Sequence, residues 1–379
     1  MARIRLLQTS DVHLRHDRPE RARALSLVFD IARNRSADAI LIVGDLFDRD
    51  ADLNSQHDLV RKLIEAVAPR PVLMIPGNHD ADAYGAHHEF GANAIVLGTT
   101  PRAHASACGL NFVGIPYQEG KTVAECLVGW EGDPRRTVLM AHANLLDFQA
   151  STFPGEGEAG DSMPIFAADG FERARYVALG HAHAGRRLVQ REGERLLAHS
   201  GSPVATSPEE LGPRSALLVD FECGVGVQSH DIVPLPTPFF EQIDVLCRPG
   251  AENEAVESLA REAAQLKRPW ARVRARMHGV SIVAEEELRE AAERELRRAF
   301  GGSKESSPST ISLDPSAPDA SVPLLELDTV AFPSLAEIPL VGEFIERLES
   351  CARDEGIEDP AVLEAAWRIG LQAFRRSIP

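Results

Sequence analysis

The sequence predicts a layered α/β fold, and three features point to it. Short β-branched runs alternate with helical stretches through the first part of the chain. Later apolar runs follow one another with no helix between them, which suggests an antiparallel section. Clusters of Asp, Asn and His stand where the apolar runs end. Alternation followed by consecutive strands favours sheets covered by helices.

The elements read in order as follows. Residues 4–7 form an apolar run closed by the polar turn Gln8-Thr9-Ser10. In 21–33, Ala24, Leu27, Val28 and Ile31 recur at helical spacing. A buried strand at 39–43 ends at Gly44-Asp45, a second helix spans 56–67, and a strand at 71–75 ends at Pro76-Gly77. Further strands are expected at 111–115, 137–140, 176–179, 196–198, 216–221 and 225–232. Pro234-Leu235-Pro236-Thr237-Pro238 is a stiff punctuator. The first domain is therefore read as 1–235.

A small β-α-β-α domain is expected over 236–300, with strands at 240–246 and 271–277 and helices at 255–266 and 285–300. Residues 301–321, rich in Gly, Ser, Pro and Asp, read as a flexible linker. A helical tail is expected over 322–379. Leu340, Phe344, Ile345 and Leu348 would form one apolar stripe, and Val362, Ala365, Ala366, Ile369 and Phe374 another.

Composition narrows the function classes. With 379 residues, 44% of them hydrophobic, the chain can bury a core without staples. No apolar stretch reaches the ~18–20 residues of a membrane span, and no signal segment is read at the N-terminus. Five dispersed cysteines without a Cys-x-x-Cys pair argue for the reducing cytoplasm. The net charge of −17 argues against a generic basic nucleic-acid coat protein. However, residues 301–379 hold six basic and fourteen acidic residues, nearly half of that excess. Carboxylates that bind cations also inflate the count.

Five motifs stand at or just after strand ends: Asp11-Val12-His13, Gly44-Asp45-Leu46-Phe47-Asp48, Gly77-Asn78-His79-Asp80, Ala141-His142-Ala143 and Gly180-His181-Ala182-His183. Ligands gather beyond the carboxyl ends of strands in α/β sheets. Oxygen and imidazole donors without sulfur suit manganese, iron or zinc better than calcium. Alone, each motif has an ordinary reading as a turn carboxylate or a packing histidine. Together, in this order, they are hard to obtain by chance.

In that order, D-x-H, GD-xx-D, GNHD, H and GHxH, the sequence resembles the calcineurin-like metallophosphoesterases over roughly 1–235. It is most similar to the SbcD branch, which includes the nuclease subunit of the meiotic-recombination DNA repair complex. The opening stretch Leu7 to Leu14, the GDLFD motif, and the segments His199 to Val204 and Ser215 to Val219 carry that similarity. The resemblance implies a four-layer α-β-β-α sandwich with a small α/β capping domain and a helical C-terminal tail. It also implies two divalent ions, manganese foremost. Asp11, His13, Asp45 and His183 would hold one; Asp45, Asn78, His142 and His181 would hold the other, with Asp45 bridging. A hydroxide activated by both metals would then attack phosphorus in line. His79 resembles the catalytic histidine facing the leaving oxygen, and Asp48 the carboxylate paired with it. Arg49 is a candidate phosphate contact, and Asp80 is read as fixing its own loop. His199 is a further residue to look for near the site.

Arg272, Arg274 and Arg276 alternate along one strand and would share a face that could meet a DNA backbone; an ordinary solvated face is the competing reading. The leading function is a metal-dependent DNA nuclease, exonucleolytic on duplex ends and endonucleolytic on single strands, in double-strand break repair or recombination. A phosphodiesterase or phosphatase on a small nucleotide or phosphoester is the alternative, and a non-catalytic scaffold is a third reading. The tail would dock on the first domain or on a partner, which the resemblance makes an SbcC-type coiled-coil ATPase. A homodimer is compatible with the sequence.

Overall fold

The structure is a computed structural model that describes residues 3–81, 84, 89–146, 163–183, 189–301, 323–332, 335, 339–357 and 359–377. The chain divides into two compact units, the first ending at Phe239 and the second beginning at Phe240.

The first unit runs β1 (Arg3–Thr9), α1 (Pro19–Asn34), β2 (Ala39–Val43), α2 (Asp50–Glu65), β3 (Val72–Ile75), β4 (Ala94–Val96), β5 (Ala103–Ala107) and β6 (Leu110–Ile115). It continues through α3 (Val123–Cys126), β7 (Thr137–Leu145), β8 (Met163–Ile165), α4 (Ala167–Arg173) and β9 (Tyr176–Gly180). The last elements are β10 (Val189–Glu192), β11 (Arg195–His199), β12 (Ser215–Glu222) and β13 (Gly226–Pro234).

Two sheets form. One has the order β13-β12-β1-β2-β3-β4, and the other β10-β11-β9-β7-β6-β5 with β8 beside β7. Side chains on β2 show how the layers arise. Ile40 and Ile42 pack with Val28 and Phe29 of α1 and with Val60 and Ile64 of α2. Ala39, Leu41 and Val43 turn the other way, toward Val138, Met140 and Ala178 of the second sheet. The outer face of that sheet presents Leu139, Val177 and Leu197 to Val123 of α3 and Phe171 of α4. Four layers, α-β-β-α, follow from strands that are apolar on both faces.

The expected antiparallel section holds in part: antiparallel pairing joins β12 to β13 and to β1, and also β5 to β6 and β10 to β11. Strands β6, β7, β9 and β11 are parallel to one another. Their connections carry α3 and α4, of four and seven residues, too short to show a helical period in sequence.

The second unit contains β14 (Phe239–Cys247), α5 (Glu252–Gln265), β15 (Ala271–Ser281), α6 (Glu285–Phe300), β16 (Leu324–Ala331), α7 (Pro339–Asp354) and α8 (Pro360–Ser377). Helix α6 spans the residues expected. Glu285, Glu286 and Glu287 sit in its first turn, Arg297 and Arg298 in its last, and Gly301 closes it at φ 72°. Helices α5 and α6 cover one face of the sheet β14-β15-β16 through Val256, Leu259, Leu288 and Leu296.

Three expectations for this unit change. Residues 324–331, read as part of a helical tail, are a strand that pairs in parallel with β15. The tail helices do not wait for another surface. Val341 and Ile345 of α7 and Trp367 and Leu371 of α8 pack on Val280 of β15. The buried face of α8 is therefore Leu363, Trp367 and Leu371, while Val362 and Ile369 point outward, 48% and 70% exposed. The Phe374 side chain and the linker 302–322 lie outside the described residues. The arginine face is also not free. Arg274 makes a two-pronged contact with Glu326 at 2.8 and 3.1 Å, and Arg276 donates to Asp328 at 2.8 Å. Arg272 is buried. The acids come from β16, the segment expected to be helical. No described helix is long and apolar enough to cross a membrane.

Candidate active site

The loops after β1 and β2 are zipped together by their backbones. Asp11 N donates to Gly44 O at 3.1 Å, His13 N to Asp45 O at 3.0 Å, and Leu14 N to Leu46 O at 2.8 Å. Asp11, His13 and Asp45 all adopt left-handed backbone, at φ 54°, 50° and 50°, and His181 sits at 91°. Such conformations cost about 1–3 kcal/mol each and persist where the surroundings impose them. Gly44, at φ 82°, shows one reason. A Cβ there would lie 2.1 Å from His142 Nδ1, so only glycine lets β2 end against that ring.

Buried Asp80 holds the next pair of loops. Its Oδ1 accepts from Gly77 N at 2.7 Å. Its Oδ2 accepts from Leu46 N at 2.8 Å, Tyr84 OH at 3.1 Å and Phe47 N at 3.2 Å. Burial, then the charge of Asp45, pushes its carboxyl up to about 7. It thus fixes more than its own loop. Asp80→Ala would leave these donors stranded, and is expected to destabilise the first unit by about 3–5 kcal/mol in urea denaturation. A loss below about 1 kcal/mol would show that the two loops hold without it.

The five motifs converge. Asp45 Oδ1 accepts from His79 N at 2.9 Å, while its Oδ2 lies 3.2 Å from His142 Nε2 and 3.6 Å from His13 Nε2. Asp11 accepts from His181 N at 3.0 Å and lies 3.6 Å from His183 Nε2. Asn78 Oδ1 stands 3.0 Å from His142 Nε2 and 3.4 Å from His181 Nδ1. Ligand atoms of Asp11, His13, Asp45 and His183 all lie within 4.8 Å of one another.

The tautomers indicate what belongs between these groups. His13 Nδ1 faces the Asp48 carboxylate at 3.5 Å, and His183 Nδ1 faces that of Glu210 at 2.9 Å. Carboxylates only accept, so both Nδ1 atoms carry the proton. With neutral rings, the two Nε2 lone pairs then face each other 3.1 Å apart. Likewise His142 Nδ1 donates to Val43 O at 3.1 Å, which turns its Nε2 lone pair toward the Asn78 oxygen. His181 Nε2 is buried with no hydrogen-bond partner among the described residues. Acceptors facing acceptors fit divalent cations at both positions.

Charge is arranged to match. Burial would raise the Asp45 carboxyl, but His142, then His13 and His79, hold it well below the usual range. Burial works against charge on His183, yet Glu210 more than offsets it and holds the imidazole up at about 9, so a cation bound at Nε2 would displace a proton there. Burial takes His181 down to about 3, leaving a neutral ring.

Two expectations are adjusted. Asp48 does not pair with the His79 ring through its carboxylate. That carboxylate accepts from Arg21 at 2.9 Å and serves His13, and His79 Nδ1 reaches the Asp48 backbone oxygen at 3.1 Å. Its position three residues past Asp45 turns the side chain back toward β1, because Asp48 N is tied to Leu14 O. Arg49 is exposed and pairs with Asp52 at 3.3 Å. His199 is buried at the end of β11, and burial, then the charge of nearby His142, takes it down to about 3. Sequence reasoning missed Glu210, Arg21 and Gln8. The last crosses between sheets, donating to Leu179 O at 2.9 Å and Ala198 O at 3.1 Å. Only its place beside the first motif hinted at it.

Fold and site together define a class: residues 4–185 match the family model described as calcineurin-like phosphoesterase, and the chain carries such a domain. It is by class a phosphodiester hydrolase. Its relatives include the SbcD component of the SbcCD nuclease of Bacillus subtilis (strain 168), 28% identical over 264 residues, covering 58% of this chain and 67% of that one. The "DNA double-strand break repair protein Mre11" of Saccharolobus solfataricus is 25% identical over 267 residues, 65% of each chain. Its namesake in Aeropyrum pernix is 25% identical over 277 residues, 64% of each. The chain thus spans about two thirds of the length of these relatives.

Proposed function

We propose that the chain is a metal-dependent DNA nuclease of double-strand break repair or recombination, acting on duplex ends as an exonuclease and on single strands as an endonuclease. One observation supports its chemistry: donor atoms from five motifs converge on two points beside Asp45. DNA as the substrate draws on the relatives, whose names are those of nucleases and break-repair proteins.

Asp11, His13, Asp45 and His183 would hold one ion and Asp45, Asn78, His142 and His181 the other, with manganese the expected metal. Bound there, two divalent ions supply a water activated at neutral pH and offset charge on the phosphate. The chain does the rest. Asp45 presents one carboxylate to both positions. His79, exposed and tethered through Nδ1 to the Asp48 backbone, offers Nε2 to a leaving oxygen as a general acid. Asp48 steadies His13 rather than His79.

The test is cleavage of labelled single-stranded, blunt and hairpin DNA with and without manganese, beside a small nitrophenyl phosphodiester. Manganese-dependent DNA cleavage is expected. Turnover of the small diester alone would favour a small-substrate phosphodiesterase, and no turnover of either a scaffold.

The outer side of the tail helices offers a docking face for an SbcC-type coiled-coil ATPase. Leu340, Phe344 and Leu348 of α7 line a groove of about 470 Å³ with Arg347 and Cys351. Ile369 of α8 is exposed as well. Leu340→Glu with Ile369→Glu is expected to abolish co-purification with such an ATPase. Surface changes of this kind shift stability by only about 0.5 kcal/mol, so the melting temperature should hold. Retained co-purification would remove this face from consideration. The reading implies a reducing cytoplasm, where five free cysteines persist.

A further inference from the structure

The two ion positions differ in what stands behind their histidines, and the difference centres on Glu210. This residue lies between β11 and β12, is 4% exposed, and brings its Oε1 to 2.9 Å from His183 Nδ1. Its carboxylate is held from several sides. Thr206 donates its backbone N to Oε2 at 3.0 Å and its hydroxyl to Oε1. Ser202 donates to Oε2 at 3.2 Å, and the Arg214 guanidinium stands 3.3 Å from the same oxygen. Arg214 also donates to the backbone oxygens of His183 and Glu210. This makes one rigid piece of the carboxylate and the histidine it supports.

The second imidazole of the same position, His13, has the Asp48 carboxylate behind it at 3.5 Å. The other position has no carboxylate in that role among the described residues. His142 Nδ1 meets a peptide carbonyl, and among the described residues His181 Nε2 has no hydrogen-bond partner. A carboxylate behind an imidazole fixes the ring's tautomer and orientation, and also makes the opposite nitrogen a stronger donor. A peptide carbonyl fixes the tautomer but carries no charge to lend.

We propose that Glu210 is a positioning residue that makes the ion position of Asp11, His13, Asp45 and His183 the tighter of the two, so that the protein fills its metal positions in sequence, that of His142 and His181 last. The inference rests on the metal reading of the site given above, but not on DNA being the substrate. A purely structural role for Glu210 would lower stability without changing the two affinities relative to each other.

Manganese titration of the full chain by calorimetry, with electron paramagnetic resonance to count bound and paired ions, separates these roles. The wild type is expected to bind two ions in steps at least about tenfold apart. Glu210→Gln keeps an acceptor oxygen and removes the charge. It should weaken the tighter step about ten- to hundredfold and leave the weaker one within about twofold. A melting curve taken alongside shows that the variant is folded. If Glu210→Gln does not fold, Asp48→Asn tests the same asymmetry through His13 and should weaken the same step. Two equal steps in the wild type, or folded variants that weaken the other step or neither, overturn the proposal. Absence of any manganese binding would overturn the metal reading beneath it.

Discussion

Asp45→Asn is expected to reduce manganese-dependent phosphodiester hydrolysis on the order of 1,000-fold or more, because in the proposed site its carboxylate would serve both ion positions. One oxygen faces His142 and His13, and the other accepts from the His79 backbone. Asparagine keeps the shape, and its oxygen can still accept from His79 N, so the loop should stay in place. What is lost is the negative charge that lets two cations sit close together. Manganese titration should show the pair of bound ions reduced to one or none, with the far-ultraviolet circular dichroism unchanged. A variant that retained full manganese-dependent turnover would sink the bridging role of Asp45.

His79→Ala should separate binding from chemistry. The His79 ring stands on the exposed side of the site, its Nδ1 on the Asp48 backbone and its plane edge-on to His13 at 4.7 Å. Only its backbone N touches Asp45, and alanine keeps that N. Both ions should therefore remain, while kcat falls on the order of 100- to 10,000-fold, the usual contribution of a positioned acid. The loss should be smallest on a substrate whose leaving group needs no proton, such as a nitrophenyl ester. If metal content falls instead, His79 is a ligand and the division of roles between His79 and the other histidines is wrong.

Much of the site was legible because its chemistry is local to short motifs. Asp11, His13, Asp45, Asn78, His142, His181 and His183 each follow or end a readable apolar run, and the structure brings all seven together. The groups behind them were not legible. Glu210 stands 27 residues from His183, in a connection with no periodic pattern. Arg21 lies on α1, where it reads as one more charged residue of a helix. The partner of Asp48 is hidden for a related reason. Spacing of three from Asp45 says that the two are near, but not which way the side chain turns. That was decided by the hydrogen bond from Asp48 N to Leu14 O.

The second unit divides the same way. Helix α6 was readable end to end because its charges and its closing glycine obey local rules. The segment 324–331 was not, since Leu-Leu-Glu-Leu-Asp-Thr-Val-Ala becomes a strand only when β15 offers an edge to pair with. That pairing also cancelled the cationic face, by setting Glu326 and Asp328 beside Arg274 and Arg276. On α8 the sequence permits either apolar stripe, and the large Trp367 at the packing surface decided for its own side. By itself, then, the sequence determined the strands buried on both faces and the seven candidate ligand residues at or near their ends, because hydrophobic period and motif chemistry act over a few residues. Only the tertiary structure decided strand direction, the free face of the tail and the carboxylates behind the histidines, because each depends on a partner distant in the chain.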